Sequence, residues 1–175
     1  MTEGRLTDVG PDVEHDDPPA RGYVKVRFAL EPDQDGWPPV TSEGLWAEPL
    51  GAGRFRIDNT PWFVRNLSAD DVVVATPDAE GVLWATRRIH FSGRMTVRVI
   101  PFRRGPLQGD LQAVLDTFAE LGVAGEGAEP EYPIVALDIP SDVDLAPIVA
   151  RLRRGHANGL WDYEEACVTD EWLEL

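Results

Sequence analysis

Residues 43–98 consist of short apolar runs that turn residues interrupt at regular spacing. The segments 51–53 and 77–81 are typical of tight turns, and Pro61 interrupts a run that would otherwise extend a strand. Several short strands at this spacing are typical of a small antiparallel barrel or sandwich. We therefore predict that residues 22–93 form a small all-β, barrel-like domain or a bent antiparallel sheet.

The second half of the chain changes character. Residues 110–121 place their apolar side chains on one stripe at helical spacing, and residues 143–154 do the same. Strand-like runs lie before, between and after these two segments, which gives the order strand, helix, strand, strand, helix, strand. We predict a ferredoxin-like α+β domain over residues 94–175 and an α+β fold for the whole chain.

The first 21 residues are rich in aspartate, glutamate and proline and poor in apolar side chains. Such a segment cannot bury enough apolar surface to offset the entropy that ordering costs. We predict a disordered acidic tail over residues 1–21, in which His15 is solvated. The tail lacks the apolar stretch of a signal peptide, and no run approaches the roughly 20 apolar residues of a membrane-spanning helix. We therefore expect a cytoplasmic protein that does not enter a membrane.

The charge balance restricts the class of partner. Sixteen lysine and arginine residues stand against 31 aspartate and glutamate residues, so the formal net charge is −15. A nucleic-acid backbone would be repelled, and we expect no nucleic-acid partner. The single cysteine, Cys167, cannot form an internal disulfide, which fits a reducing compartment. The histidines and the cysteine lack metal-ligand spacing, and no catalytic motif is evident, so we predict no metal, no cofactor and no catalytic residues.

Four strings stand in order along the chain: LWAEPL at 45–50, RFRIDNTPWF at 54–63, LSADDVV at 67–73, and SG at 92–93 followed by TVR at 96–98. These strings resemble the bacterial domain-of-unknown-function family numbered 4265. The resemblance covers roughly residue 23 to the C-terminus and implies a soluble bacterial protein, but it transfers no agreed activity. Family members often carry His after the Ser-Gly pair and Gly before Asp-Val-Val, where this chain has Arg94 and Asp70.

Four side chains in this region offer chemistry beyond folding. Asn59 and Trp62 flank the bend at Pro61, where the amide could orient a ligand beside the indole, although Asn also stabilises such bends by bonding nearby backbone. His90 and Arg94 alternate at the end of a predicted strand, which suits either an anion-binding strip or a solvated surface. We take Asn59, Trp62, His90 and Arg94 as a candidate ligand site.

The C-terminal segment places aromatic side chains among carboxylates. Aromatic anchors ringed by charge are typical of protein-binding surfaces. We take Trp161, Tyr163, Glu165 and Trp172 as a candidate surface of this kind.

These observations favour a non-enzymatic cytoplasmic protein that binds another protein, as an inhibitor, an immunity-type neutraliser or a regulator. The alternative is a small-molecule-binding module or an enzyme whose site lies between the two halves of the chain.

Overall fold

The structure is a computed structural model that describes residues 11–15, 18–128 and 132–175. These residues form ten strands and three helices. The strands are β1 (Asp12–Glu14), β2 (Val24–Ala29), β3 (Ser42–Gly51), β4 (Arg54–Ile57), β5 (Val72–Pro77), β6 (Leu83–His90), β7 (Met95–Pro101), β8 (Ala124–Gly127), β9 (Val135–Ile139) and β10 (Trp161–Cys167). The helices are α1 (Leu111–Ala119), α2 (Leu145–Ala157) and α3 (Asp170–Leu173).

Strands β2 to β6 close into a five-stranded barrel. Their order is β3-β2-β6-β5-β4, and β4 pairs back with β3. The pairing of β2 with β6 is parallel, and the other pairings of the ring are antiparallel. Alternate side chains point inward and fill the interior, among them Val26, Leu45, Ile57 and Val73, which are all buried. The prediction of a barrel-like N-terminal half is confirmed.

The second half folds around a four-stranded sheet of order β10-β7-β9-β8, in which every pairing is antiparallel. Val97 and Leu137 of this sheet share one core with Val114 of α1 and Ile148 of α2. Asp110 caps α1 by accepting hydrogen bonds from two backbone N–H groups of its first turn. The elements follow the predicted order strand, helix, strand, strand, helix, strand, and the predicted α+β class is confirmed. Among the described residues, no helix combines the length and apolar character that a membrane span requires.

The predicted disorder of residues 1–21 is wrong for part of that segment. Asp12–Glu14 form β1, which pairs in parallel with the beginning of β3. Val13 is buried in an apolar cluster that also contains Trp62 and Phe63. Residues 1–10, 16 and 17 of the predicted tail lie outside the described residues.

Charge pairing explains why β1 is ordered despite its acidic composition. Asp12 and Glu14 both pair with the guanidinium of Arg27 on β2, and Glu14 also lies 3.1 Å from the ammonium of Lys25. Each pair is partly exposed and contributes little by itself, but together they neutralise the carboxylates of β1 where it joins the sheet.

The segment between β4 and β5 joins the two halves. The Ser68 hydroxyl lies 2.9 Å from the Thr96 hydroxyl of β7, and the Asn66 N–H donates to the carbonyl of Ala166 on β10. Arg98 of β7 donates to the carbonyl of Val64. The bend that begins at Asp58 is therefore held between the barrel and the second sheet.

Candidate functional site

Glu43 on β3 is a fully buried carboxylate at the junction of the two halves. Its oxygens accept hydrogen bonds from the backbone N–H groups of Trp62 at 2.7 Å, and of Phe63 and Val64 at 2.9 Å each. Three consecutive backbone donors therefore converge on one side chain. A carboxylate with this many donors is held in its charged form in spite of burial.

His15 completes this buried cluster from the other side. Its Nε2 lies 3.0 Å from the Glu43 carboxylate and its Nδ1 lies 3.1 Å from the carboxylate of Glu126. The imidazole stacks on the indole of Trp62, with ring centroids 3.8 Å apart and planes 16° from parallel. The predicted solvation of His15 is wrong, because only 2% of the residue is exposed. A ring between two carboxylates satisfies both when both of its nitrogens donate, which is the imidazolium form.

Electrostatics favour the charged forms of both groups. Burial works to lower the pKa of His15, but hydrogen bonds to Glu126 and Glu43 and their charges outweigh it, and the pKa is raised. Burial works to raise the pKa of Glu43, but the hydrogen bond and charge of His15 and the N–H groups of Trp62 and Phe63 outweigh it, and that pKa is lowered. Both shifts therefore favour the ion pair between His15 and Glu43.

A second buried cation lies near this pair. Arg98 donates to Glu164 at 2.8 Å and is only 1% exposed. Burial lowers the pKa of Arg98, and the charges of Glu164 and Glu43 oppose that change. Glu43 therefore interacts electrostatically with two cations from different parts of the chain, His15 and Arg98.

We expect the stability of the protein to fall as the pH rises above neutrality. The folded-state pKa of His15 lies above its ordinary value of about 6.5, so its contribution is complete below that pH and is lost as the pH rises through the raised pKa. Urea unfolding of wild type and His15→Gln across the pH range measures this, and the stability difference between them should shrink at alkaline pH.

His90→Gln is the matched control for that experiment, because His90 is exposed on β6. A stability difference between wild type and His15→Gln that stays constant from neutral to alkaline pH would contradict the ionic pair.

Acid acts on Glu43 in the opposite sense. The lowered pKa of Glu43 means that its contribution to stability is present above about pH 4.3 and is lost as the pH falls through the folded-state pKa.

The structure places the four predicted ligand-site residues in separate surroundings. Asn59 accepts a hydrogen bond from the Trp46 N–H at 2.8 Å, which ties the bend to β3. Trp62 is buried under His15. Arg94 donates from Nε to Asp138 at 2.9 Å. His90 is exposed at the end of β6. Asn59 and Trp62 thus have structural partners at the junction, whereas His90 remains available on the surface.

The predicted aromatic surface at the C-terminus is wrong for its two tryptophans. Trp161 is 1% exposed, and α2 covers it so closely that a Cβ on Gly155 would overlap the indole. Trp172 is 2% exposed and donates from its indole to the Glu165 carboxylate at 2.8 Å. Tyr163 is half-buried. The predicted strand after the second helical segment is confirmed as β10, but α2 packs on this strand and makes Trp161 a core residue.

A different surface gathers basic side chains, and it lies on β4, β5 and β6. In each of two rows of cross-strand partners, a valine of β5 lies between a basic residue of β4 and one of β6: Arg54, Val74 and Arg87 in one row, and Arg56, Val72 and His90 in the other. We name these six residues the basic strip. Its basic side chains are exposed and its valines are half-buried.

The side chains of the basic strip differ in how they are engaged. Arg56 pairs with Glu48 on the neighbouring β3, and Arg54 reaches the carbonyl of Gly51 at 3.3 Å. The side chains of Arg87 and His90 have no hydrogen bond or ion pair with any other described residue. The sequence signal for this strip is the alternation of Arg54 and Arg56 along a strand in an otherwise acidic chain.

Comparisons with known proteins identify the family and the fold. The family model described as "Domain of unknown function (DUF4265)" matches residues 43–163. A search of curated proteins finds no match. A solved structure, the crystal structure of a hypothetical protein from Neisseria gonorrhoeae, is similar with a TM-score of 0.68 and 20% sequence identity, covering 83% of this chain and 95% of that chain. At this identity the likeness concerns the fold alone.

Proposed function

We propose that this chain, which belongs to the DUF4265 family of domains of unknown function, binds an acidic segment of another protein through the basic strip. Membership of the family carries no activity, so the proposal rests on the chain's own surface. The observation that carries the proposal is a local reversal of charge. In a protein with a formal net charge of −15, four exposed basic side chains surround two half-buried valines.

The chemistry of the basic strip fits carboxylates joined to apolar side chains. Guanidinium groups bind carboxylates through two parallel hydrogen bonds, and Arg87 has no partner of its own among the described residues. Val72 and Val74 offer apolar contact at the centre of the strip, where each lies between two basic side chains. An acidic segment would be repelled by most of the remaining surface, so the same charge distribution that attracts it here disfavours other docking positions.

Nucleic acid is the competing class of ligand for a basic surface. The net charge of −15 repels a phosphate backbone at long range, and the basic strip is short. The two valines at its centre also favour a peptide, whose side chains include apolar groups. The proposed class is therefore the predicted one, a non-enzymatic cytoplasmic binding protein. Its proposed contact surface is the basic strip and not the C-terminal segment.

We expect Arg54→Glu combined with Arg56→Glu to weaken binding of an acidic peptide by about tenfold or more, because like charges would then face each other. The probe is a fluorescein-labelled peptide that alternates glutamate with valine, and fluorescence anisotropy measures its affinity. Binding by wild type should weaken as salt is added, since exposed charges are screened.

The matched control is Arg103→Glu combined with Arg104→Glu, which changes the net charge equally at two exposed arginines of the second half. This variant should bind the peptide as wild type does, within about twofold, apart from a small general charge effect. A lysine–valine peptide and a duplex DNA serve as alternative probes. Equal loss in both double variants, or binding of either alternative probe at least as tightly as the acidic peptide, would contradict the proposal.

A further inference from the structure

We propose that a cavity at the edge of the barrel binds a small monocarboxylate whose apolar part is about the size of a benzene ring. The cavity has a volume of about 170 Å³ and lies where β2 and β6 separate. This proposal goes beyond the binding of a protein segment, and apart from Arg87 it uses residues outside the basic strip.

The cavity exists because the ladder between β2 and β6 is short. Only Val26 with Leu83 and Arg27 with Trp84 are paired between these two strands in the part of the chain that the structure describes. Beyond them, Phe28 continues its pairing with β3, while β6 continues its pairing with β5. The two strands therefore part, and residues 64–67, from the segment between β4 and β5, also line the opening.

The floor of the opening is apolar. It is formed by five side chains from three strands and the segment 64–67: Phe28, Val64, Leu67, Val73 and Ala85. All five belong to the barrel core or pack against it. An engineered apolar cavity of about 150 Å³ is large enough to bind benzene, so a cavity of this volume suits a ring or a short branched chain.

The rim of the opening is cationic. Arg65, Arg87 and Arg88 line it. Arg65 pairs with Glu164 at 2.7 Å and Arg88 pairs with the buried Asp71 at 3.1 Å, so these two guanidinium groups are already neutralised. The side chain of Arg87 is without such a partner among the described residues.

An unpaired guanidinium beside an apolar floor defines the ligand by its two ends. A carboxylate satisfies Arg87 through paired hydrogen bonds, and an apolar body fills the space between Phe28 and Ala85. A bare inorganic anion would leave the floor uncovered, and a neutral apolar molecule would leave Arg87 without a partner. The arrangement therefore favours a molecule that carries both features.

Benzoate is the probe that tests this site, titrated against the full chain and followed by calorimetry and by amide chemical shifts. We expect a dissociation constant at or below about 1 mM, with shifts centred on 64–67 and 85–88. Benzyl alcohol, which keeps the ring but lacks the carboxylate, and inorganic phosphate, which lacks the ring, should each bind at least about tenfold more weakly.

Two variants separate the ends of the site. Arg87→Gln should weaken benzoate by about tenfold, while Arg104→Gln, at an exposed arginine elsewhere, should leave it unchanged. Ala85→Leu should abolish binding by filling the cavity. Arg54→Glu combined with Arg56→Glu should leave benzoate binding within about twofold of wild type, so this site and the basic strip can fail independently. Unchanged affinity in Arg87→Gln, or benzyl alcohol that binds as well as benzoate, would overturn the proposal.

Discussion

Replacing Glu43 with glutamine should lower the free energy of unfolding by about 3–5 kcal/mol, which corresponds to roughly 6–20 °C in Tm for a chain of this size. The carboxylate accepts three backbone N–H groups and pairs with His15. Glutamine keeps the shape of the side chain but removes the charge and places a donor where only acceptors fit. His15 would then be buried beside a neutral group, and Arg98 would lose a nearby countercharge.

Glu48→Gln is the matched control for Glu43→Gln. Glu48 lies on the same strand, but its side chain is 37% exposed and pairs with Arg56 at the surface. Loss of an exposed pair should cost about 1 kcal/mol or less. Urea unfolding measures both variants, and hydrogen exchange at Val13 and Glu14 should show that β1 opens first in Glu43→Gln. Equal destabilisation by the two variants would contradict the central place of Glu43 in the fold.

Trp161→Ala should destabilise the protein by about 3–5 kcal/mol, because a large side chain leaves a fully packed core. Trp161 contacts Phe118 of α1, with ring centroids 5.6 Å apart, and its indole donates to the Leu152 carbonyl of α2 at 3.1 Å. Helices α1 and α2 therefore both depend on this one ring. Thermal unfolding followed by circular dichroism measures the effect.

Trp84→Ala provides the comparison for Trp161→Ala. Trp84 is half-buried on β6 and donates from its indole to Asp78 at 2.9 Å. Its loss should cost less than half as much, since a surface that remains in water gains less from packing. Trp161→Phe should fall between the two, because it keeps a ring against Gly155 and loses the hydrogen bond. A Trp161→Ala variant as stable as Trp84→Ala would contradict the assignment of Trp161 to the core.

Asp70 and Arg94, the two residues that depart from the pattern that the family resemblance implies, lie next to each other. Asp70 has a φ of +66°, a conformation that glycine adopts without strain and that Asp tolerates better than most residues. The Asp70 carboxylate lies 3.9 Å from Nε of Arg94, so the two departures form a charge pair.

Local sequence patterns predicted the architecture because turns and alternation are local properties. The predicted turn at 51–53 joins β3 to β4. Asp110 stands directly before the first residue of α1, which is the position of a capping residue. Composition alone misread Asp12–Glu14, because the charges that neutralise this segment, Lys25 and Arg27, lie on another strand. Only the fold brings these partners beside β1, so the composition of residues 1–21 does not reveal them.

The candidate sites were predicted less well, since they depend on distant contacts. The sequence pointed to the bend with Asn59 and Trp62, but the groups that hold it are Glu43 and His15 from earlier in the chain. Glu126, which completes the cluster, lies 111 residues from His15. The basic strip likewise depends on strand register, because Arg54 and Arg87 become neighbours of one valine only when β4, β5 and β6 pair.

The most direct test of the proposed function is an amide chemical-shift map of the protein titrated with the glutamate–valine peptide. We expect the largest shifts to cluster on β4, β5 and β6 around Val72 and Val74, and to disappear in Arg54→Glu combined with Arg56→Glu. Shifts that cluster instead on β10 and α3, or that persist in that double variant, would contradict the basic strip as the contact surface.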